Sequence, residues 1–326
     1  MFRKKKLIKL IIAAAIIGVI LWLAGEEIYF ALSQLSFSLI FLLIGLQIIT
    51  LLLIDLQWWY IFLVDRDRRV SYLTIIKINL AAKFVESVTP ASKLGGESAK
   101  IYMFRQITGL KTGKILAAAG MQKSTTFLGL FILILPVLSY WPFQLNLWES
   151  LFDSEIGADR NLILISALII SAVIAGLIFL YKNYSGHIYH KFISIKEDMT
   201  DSLSRLSGVK HISILTAVSF AYWLLYPVKV YILANYIFGD IGFTTAAAAT
   251  FIAYFVSMIP LSPGGLGGFE ATMALVLSQN GLTWQAGLSI AFLLRIFTFW
   301  LPLLISALTA MNISANILTE KGDYSS

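Results

Sequence analysis

Two glutamates stand directly behind glycine-rich breaks in long apolar stretches of this chain. The first break reads TPASKLGGESA, at Thr89–Ala99, and contains Glu97. The second reads IPLSPGGLGGFEA, at Ile259–Ala271, and contains Glu270. A charged residue in a membrane-spanning helix costs about 2.5–3.5 kcal/mol on insertion scales, so such residues usually have a function or a partner. We therefore expect both glutamates to lie in a polar site rather than against lipid.

The residue types of the two breaks are those of a helix start. Serine is a good N-cap, proline fits the first helical position, and glycine allows tight turns and close backbone approach. The free N–H groups and the positive end of the helix dipole can bind an anion such as a lipid phosphate. The alternative is that prolines and glycines are purely architectural and that the glutamates only cap. The candidate substrate-binding residues here are Pro90, Ser92, Gly95, Gly96, Glu97, Ser262, Gly264, Gly265, Gly267, Gly268 and Glu270.

Two basic residues inside apolar segments complete the candidate set. Arg295 lies in AFLLRIFTFWLPLL, and Lys229 lies in WLLYPVKVYIL. A guanidinium matches phosphate geometry, so Arg295 is a candidate phosphate ligand, and a structural ion pair with Glu270 or Glu97 is the alternative. Further charges in apolar segments are expected to face the bundle interior or to extend to the membrane surface. They are Asp55, Lys83, Glu86, Lys93 and Lys123.

The composition is that of a helical membrane protein. Of 326 residues, 58% are hydrophobic and only 13% are charged, against about 25% charged in soluble domains. Recurring apolar runs are long enough to cross a bilayer, whereas a transmembrane barrel would show short alternating segments. The sequence therefore predicts an all-α polytopic membrane protein with one integral membrane domain over 1–326. The absence of cysteine excludes disulfides and thiolate chemistry.

No cofactor or metal site is expected from the sequence. There is no Walker loop, and the glycines of GGLGGFE do not follow a strand, so a dinucleotide-binding fold is rejected. His187 and His190 have metal-ligand spacing, but a solvated polar loop is the favoured interpretation.

Loop charges predict the topology. Basic residues collect in alternate loops, and the positive-inside rule then places both termini in the cytoplasm. This assignment requires that two interrupted stretches, about 72–103 and about 244–277, enter and leave the membrane on the same side. We therefore predict two re-entrant hairpins besides six full crossings. The predicted crossings are Leu7–Ala24, Phe37–Leu63, Ile115–Leu138, Leu162–Tyr181, Ile212–Phe238 and Trp284–Met311.

The two breaks also form an internal repeat. Both contain Pro-x-Ser, then Leu-Gly-Gly, then a glutamate within two residues, and their predicted entry sides are opposite. An inverted-topology repeat of this kind places a binding site near the middle of the membrane, where half-helix ends meet. A further segment, about 186–207, has apolar residues at three- and four-residue spacing and predicts an amphipathic helix on the cytoplasmic leaflet.

Three stretches resemble a known family. TPASKLGGESAKIYMFRQITGL, MIPLSPGGLGGFEAT and LLRIFTFWLPLL are similar to segments of the lysylphosphatidylglycerol synthase transmembrane region, a flippase-like membrane family. The resemblance implies a domain that moves aminoacylated phospholipids or polyprenyl-linked lipids between leaflets. The cytosolic transferase domain of two-part members is missing, so lipid synthesis is not implied. Where members often show Glu-Arg in the third crossing, this chain has Gln122 and Lys123.

The expected function is therefore a lipid flippase in the cell membrane, with membrane lipids of anionic or aminoacylated headgroup as partners and no nucleic acid. The headgroup is expected between the two breaks. An enzyme of the polyprenyl-pyrophosphate phosphatase type is the alternative, with Ser92 or Ser262 as nucleophile, although LSPGGLGG offers no basic cluster beside the serine. A non-transporting partner of a lipid-modifying enzyme, or a homo-oligomer, is also open.

Overall fold

The chain is helical throughout the part that its computed structural model describes, which is residues 25–66, 70–88, 92–140, 193–257 and 265–310. These residues contain no strand, and the predicted all-α membrane class is confirmed. The helices are α1 (25–33), α2 (Phe37–Val64), α3 (Tyr72–Val88), α4 (Ser92–Thr108), α5 (Thr112–Tyr140), α6 (193–206), α7 (Val209–Ile237), α8 (Phe243–Val256), α9 (Gly268–Ser278) and α10 (Trp284–Ala310).

Four of the helices are long and apolar enough to cross a membrane. They are α2, α5 over Thr112–Val137, α7 and α10, and they have 26 to 29 residues each, where about 20 residues span the hydrocarbon core. These helices match four of the six predicted crossings. The other two, Leu7–Ala24 and Leu162–Tyr181, lie outside the described residues, as does the first part of the predicted amphipathic helix.

Side-chain contacts give the directions of the long helices. Tyr236 near the end of α7 donates to Ser36 before α2 at 2.9 Å. At the other end, the Tyr60 hydroxyl of α2 lies 2.8 Å from Nδ1 of His211 at the start of α7. The two helices are therefore antiparallel. The Asp65 carboxylate after α2 lies 3.4 Å from Nζ of Lys114, so α5 begins where α2 ends.

Two hydrophobic clusters mark the ends of the bundle. The first contains Leu39 of α2, Val230 of α7 and Leu288 of α10. The second contains Trp58 of α2 and is contacted by Ala310 at the end of α10. Helix α10 therefore runs from the first cluster to the second, parallel to α2.

Each predicted interruption separates two short helices that pack on each other. In the first pair, a Cβ atom added to Gly96 of α4 would lie 2.6 Å from Cβ of Glu86 on α3. In the second, a Cβ added to Gly265 before α9 would lie 2.7 Å from Cβ of Ser257 at the end of α8, and Gly265 has φ +68°. Glycine is required at both positions because these backbones approach too closely for any side chain.

A proline-associated turn modifies α10. Residues Ile296–Trp300 form a π-helical turn, in which the Leu301 N–H bonds to the Ile296 carbonyl. Pro302 follows two residues later; it has no N–H, and its ring displaces the carbonyl four residues before it. The wider turn absorbs this displacement, and it begins directly after Arg295.

Helix α6 packs near the Asp65 end of the bundle. Asp65 is buried and accepts from the Ser202 hydroxyl at 3.1 Å, with the Arg205 guanidinium at 3.5 Å. Lys111 lies 2.7 Å from Asp198, and the hydrogen bond to this carboxylate raises the pKa of Lys111. These contacts connect α6 to the ends of α2 and α5.

Candidate functional site

A polar cavity of about 260 Å³ lies between α2, α3, α4, α5, α7 and α10. Its volume suits a small headgroup or several water molecules, each of which occupies about 30 Å³ in the liquid. Charged groups of both signs line it in equal number, together with four aromatic side chains. The charged residues are Asp55, Lys83, Glu86, Glu97, Lys100 and Lys123, and the aromatic residues are Trp58, Tyr222, Trp223 and Tyr226.

Helix α2 contributes one stripe of its surface to the cavity. Gln47, Leu51, Asp55 and Trp58 line it, and residues three to four apart lie on the same face of a helix. The opposite side chain, Gln57, faces elsewhere and joins the helices instead. Its amide Nε2 donates to Thr125 of α5 at 2.9 Å and to Ser219 of α7 at 2.6 Å.

Glu97 lies at the wall of the cavity in an ion-pair network. Its carboxylate is 2.7 Å from Nζ of Lys123 on α5 and 3.6 Å from Nζ of Lys100 on its own helix. Lys100 in turn lies over the Trp58 ring, 4.8 Å from its centroid, a distance typical of cation–π contacts. Glu97 is the sixth residue of α4, so it lies near the first turn of that helix.

Asp55 has a different environment in the same cavity. It is 5% exposed and accepts a hydrogen bond of 2.7 Å from Nδ2 of Asn79 on α3. Among the described residues no basic side chain lies within ion-pair distance of it, although the charge of Lys100 acts on it electrostatically. Trp58, one turn further along α2, is fully buried and stacks on Phe104 with centroids 5.3 Å apart.

Several buried polar atoms around the cavity have no hydrogen-bond partner in the described part of the chain. Leaving a buried donor or acceptor unpaired costs about 1–3 kcal/mol, so such atoms point to water or a ligand in the cavity. Those on cavity-lining residues are Nε1 of Trp58, Oδ1 of Asn79, Oε1 of Gln122 and Nε1 of Trp223.

At the second break, Arg295 and Glu270 form a buried ion pair. Nε of Arg295 on α10 is 3.1 Å from Oε1 of Glu270, and its Nη2 donates to the Gly265 carbonyl at 3.0 Å. The other oxygen of Glu270, Oε2, accepts the Gly267 N–H at 2.7 Å and caps α9. The guanidinium also lies over the Phe269 ring, 4.5 Å from its centroid. Glu270 and Arg295 are 1% and 5% exposed, so this charge pair is satisfied within the protein.

Lys229 is fully buried in α7. Its ammonium donates to Oε1 of Gln47 at 2.6 Å and to Thr50 at 3.1 Å, and it lies 4.4 Å from the centroid of the Tyr226 ring. No carboxylate of the described residues lies within ion-pair distance. Gln47 lines the cavity, so Lys229 stands one side chain behind its wall.

Comparison with known proteins identifies the family. The sequence pattern of the lysylphosphatidylglycerol synthase TM region matches residues 7–306. The chain belongs to this family. It is 22% identical over 329 residues to the UPF0104 membrane protein PH1989 of Pyrococcus horikoshii, covering 94% of this chain and 97% of that protein. It is also 22% identical over 323 residues to a UPF0104 membrane protein of Methanothermobacter thermautotrophicus, covering 92% of this chain and 91% of that protein. No solved structure matches the chain.

Within this member of the lysylphosphatidylglycerol synthase TM-region family, the predicted site residues separate into two groups. Gly96 and Glu97 lie at the cavity, and Gly95 precedes them in α4. Gly265, Gly267, Gly268, Glu270 and Arg295 lie at the second break, and none of these lines the cavity. Pro90, Ser262 and Gly264 lie outside the described residues, and Ser92 is described only as the first residue of α4.

The sequence pattern does not single out the polar residues of α2, α3 and α5 that line the cavity. Asp55 is predicted only as an interior or surface charge, and Gln47, Asn79 and Gln122 are not among the predicted ligands. A signal was available for α2, because Gln47 and Asp55 are eight residues apart in a mostly apolar helix and so lie on nearly the same face. The described residues contain no group of three acidic or histidine side chains that could hold a metal ion.

Proposed function

We propose that this protein moves a phospholipid or polyprenyl-linked lipid between the two leaflets of the cell membrane, with the headgroup in the cavity beside Glu97. One observation carries the proposal: a cavity with three acidic and three basic side chains lies inside a bundle of apolar helices. Charged groups within a membrane domain face cavities through which polar groups pass. Membership in a family named for the lipid lysylphosphatidylglycerol supports the same conclusion.

We further propose that α3–α4 and α8–α9 are re-entrant hairpins in addition to six crossings. Helix α2 ends where α5 begins, as the Asp65–Lys114 contact indicates, so α3 and α4 leave and return at one end of the bundle. Helix α7 ends in the cluster where α10 begins, so α8 and α9 do the same at the opposite end. This arrangement supports an inverted repeat, with both chain termini in the cytoplasm.

The balance of charge in the cavity is consistent with a headgroup that carries both a phosphate and an ammonium. Lys83 and Lys123 line the same cavity as Asp55 and Glu86, so both parts of such a headgroup would find opposite charge. An anionic headgroup would bind to the lysines alone. A series of labelled lipids with anionic, zwitterionic and polyprenyl-phosphate headgroups would distinguish these substrates.

The test is leaflet exchange by the purified protein in liposomes, followed with a fluorescent phospholipid and a reductant that bleaches only the outer leaflet. We expect wild-type protein to expose the inner-leaflet label and Glu97→Gln to slow this exchange. Glu197→Gln, on the exposed surface of α6, is the matched control and should exchange lipid like the wild type. Release of phosphate from a polyprenyl pyrophosphate without lipid movement would indicate that the protein is a phosphatase rather than a lipid carrier.

A further inference from the structure

Among the described residues that line the cavity, Asp55 is the one buried carboxylate without an ion-pair partner; Glu86 is only half-buried. Glu97 is paired with Lys123 and Lys100, and outside the cavity Glu270 is paired with Arg295 and Asp65 with Lys114. Asp55 is more deeply buried than Glu97, at 5% exposed, yet in the described residues its only direct polar partner is the neutral amide of Asn79. An isolated ionised carboxylate in an apolar surrounding is costly, and such a group tends to take up a proton instead.

Asn79 is suited to both charge states of Asp55. Its Nδ2 already donates to the carboxylate, and its Oδ1 is buried without a donor among the described residues. A protonated carboxyl group gains an O–H donor. Because amide oxygen and nitrogen can exchange places by rotation of the side chain, the same asparagine can donate to the ionised form and accept from the protonated form.

Within the described residues, Asp55 is not part of the ion-pair network that Glu97 forms with Lys123 and Lys100. On α3, Lys83 and Glu86 line the cavity, and Tyr72 is close enough for its hydroxyl to sense the charge of Asp55. On α4, Lys100 is the cation that acts on Asp55, but it is shared with Glu97 and the Trp58 ring. Beyond these, the titratable groups of the cavity are Glu97, Lys123, Tyr222 and Tyr226, and α10 contributes only the neutral Thr298.

We propose that Asp55 is the proton-binding site of a proton-coupled transport cycle, a role that rests on the lipid-transport function proposed above. The carboxylate takes H⁺ from the water on one side of the membrane, becomes a neutral carboxylic acid, and releases H⁺ to the other side when the cavity opens there. A proton fits this site better than a metal cation, because Ca²⁺ and Mg²⁺ require six or more oxygen ligands. The described residues offer no cluster of acidic or histidine ligands for a metal.

The coupling predicts net accumulation of lipid, which simple exchange does not produce. Phosphatidylglycerol vesicles carrying the protein and acyl-labelled phosphatidylethanolamine, whose headgroup has both a phosphate and an ammonium, would receive a pH gradient, with the membrane potential clamped by potassium and valinomycin. One pH unit across the membrane can drive up to about tenfold enrichment in one leaflet for each proton moved. We expect this asymmetry with wild-type protein, its reversal when the gradient is reversed, and an equal distribution with Asp55→Asn. Asp55→Glu, which keeps the carboxyl group, should restore part of the asymmetry.

A second measurement tests the proton site without transport. Infrared difference spectra between about pH 5 and about pH 8 record the C=O band of carboxyl groups that titrate there, and exposed carboxylates titrate below this range. We expect one such band in the wild type that is absent in Asp55→Asn and present in Glu197→Gln.

The outcomes separate the two proposals. If wild-type protein moves none of the labelled lipids, the proposed transport function is wrong. The infrared band would then test the proton site independently. Symmetric distribution under a pH gradient, accumulation driven by a sodium gradient instead, or full accumulation by Asp55→Asn would each overturn the coupling. A carboxyl band unchanged in Asp55→Asn would overturn the assignment of the proton to this residue.

Discussion

Arg295 and Glu270 form a buried ion pair, with Nε of the arginine 3.1 Å from Oε1 of the glutamate. The pair connects the start of α9 to the middle of α10, and it also bonds to the Gly265 carbonyl and the Gly267 N–H. Each charge stabilises the other, since neither residue is more than 5% exposed.

Loss of the arginine should therefore destabilise the protein strongly. Removal of one partner from a buried pair costs about 3–5 kcal/mol, because the other charge stays buried and uncompensated. We expect Arg295→Met to lower the free energy of unfolding by this amount in detergent denaturation. The double variant Glu270→Gln with Arg295→Met should lose less than the single arginine variant, because it buries no free charge. Equal stability of the single variant and the wild type would show that Glu270 finds another partner.

The close contact of α3 with α4 predicts that Gly96 tolerates no larger residue. A Cβ at this position would meet Cβ of Glu86 at 2.6 Å, and overpacking of this kind costs about 1–3 kcal/mol. We expect Gly96→Ala to lower the unfolding temperature and to alter the cavity beside Glu97. Gly120→Ala is the matched control, since no neighbouring helix in the described part of the chain comes within 4 Å of a Cβ added to Gly120 in α5. If both variants unfold alike, the two helices are not in contact as described.

Exchanging the charges of Glu97 and Lys123 should distinguish positioning from substrate binding. The pair is half-exposed, with side chains 28% and 49% exposed, so its contribution to stability should be under about 1 kcal/mol. We expect Glu97→Lys and Lys123→Glu each to slow leaflet exchange with little change in unfolding. The double variant restores the attraction between the two positions. Recovery of exchange in the double variant would indicate that the pair only positions α4 against α5, whereas persistent loss would indicate direct headgroup contact by Glu97.

Replacement of Lys229 should separate stability from activity. A fully buried ammonium without a carboxylate partner in the described residues destabilises the fold, so Lys229→Met removes this cost. The substitution also leaves Gln47 and Thr50 without their hydrogen-bond donor. Because the two effects oppose each other, we expect the free energy of unfolding to change by no more than about 1–2 kcal/mol. We expect lipid exchange to fall by about tenfold or more, equivalent to 1.36 kcal/mol in the barrier. Unimpaired exchange with raised stability would assign Lys229 no role in transport.

The membrane orientation can be checked by cysteine labelling, since the chain has no cysteine of its own. Gln106 near the end of α4 and Gln279 directly after α9 are both exposed, so single cysteines there should be reactive. We expect Gln106→Cys to be labelled only from the cytoplasmic side and Gln279→Cys only from the outside. Labelling of both from one side would contradict the two opposed re-entrant hairpins.

The apolar pattern of the sequence predicted the described helices well. The charged residues within the apolar segments predicted the ion pairs only in part. Length and hydropathy were sufficient for α2, α5, α7 and α10, because a bilayer imposes both. The sequence also indicated that Arg295 and Glu270 were candidates for one pair. It did not indicate that Glu97 would pair with Lys123, because that contact depends on how α4 and α5 are placed in space. The burial of Asp55 was not predicted for the same reason, because it depends on how α3 and α4 pack against α2 in space.

The amide of Gln57 has a mechanical consequence for the bundle. It donates hydrogen bonds to Thr125 of α5 and Ser219 of α7. Such bonds matter because the hydrophobic effect does not drive helices together within lipid. Any rearrangement that keeps these bonds must be a rotation of α2 about Gln57 rather than a slide past its neighbours. Twenty residues separate Gln57 from Phe37 and seven separate it from Val64, so at a constant rise per residue the Phe37 end sweeps roughly three times as far. A small tilt of α2 would therefore widen the bundle mainly at the end where α7 finishes and α10 begins.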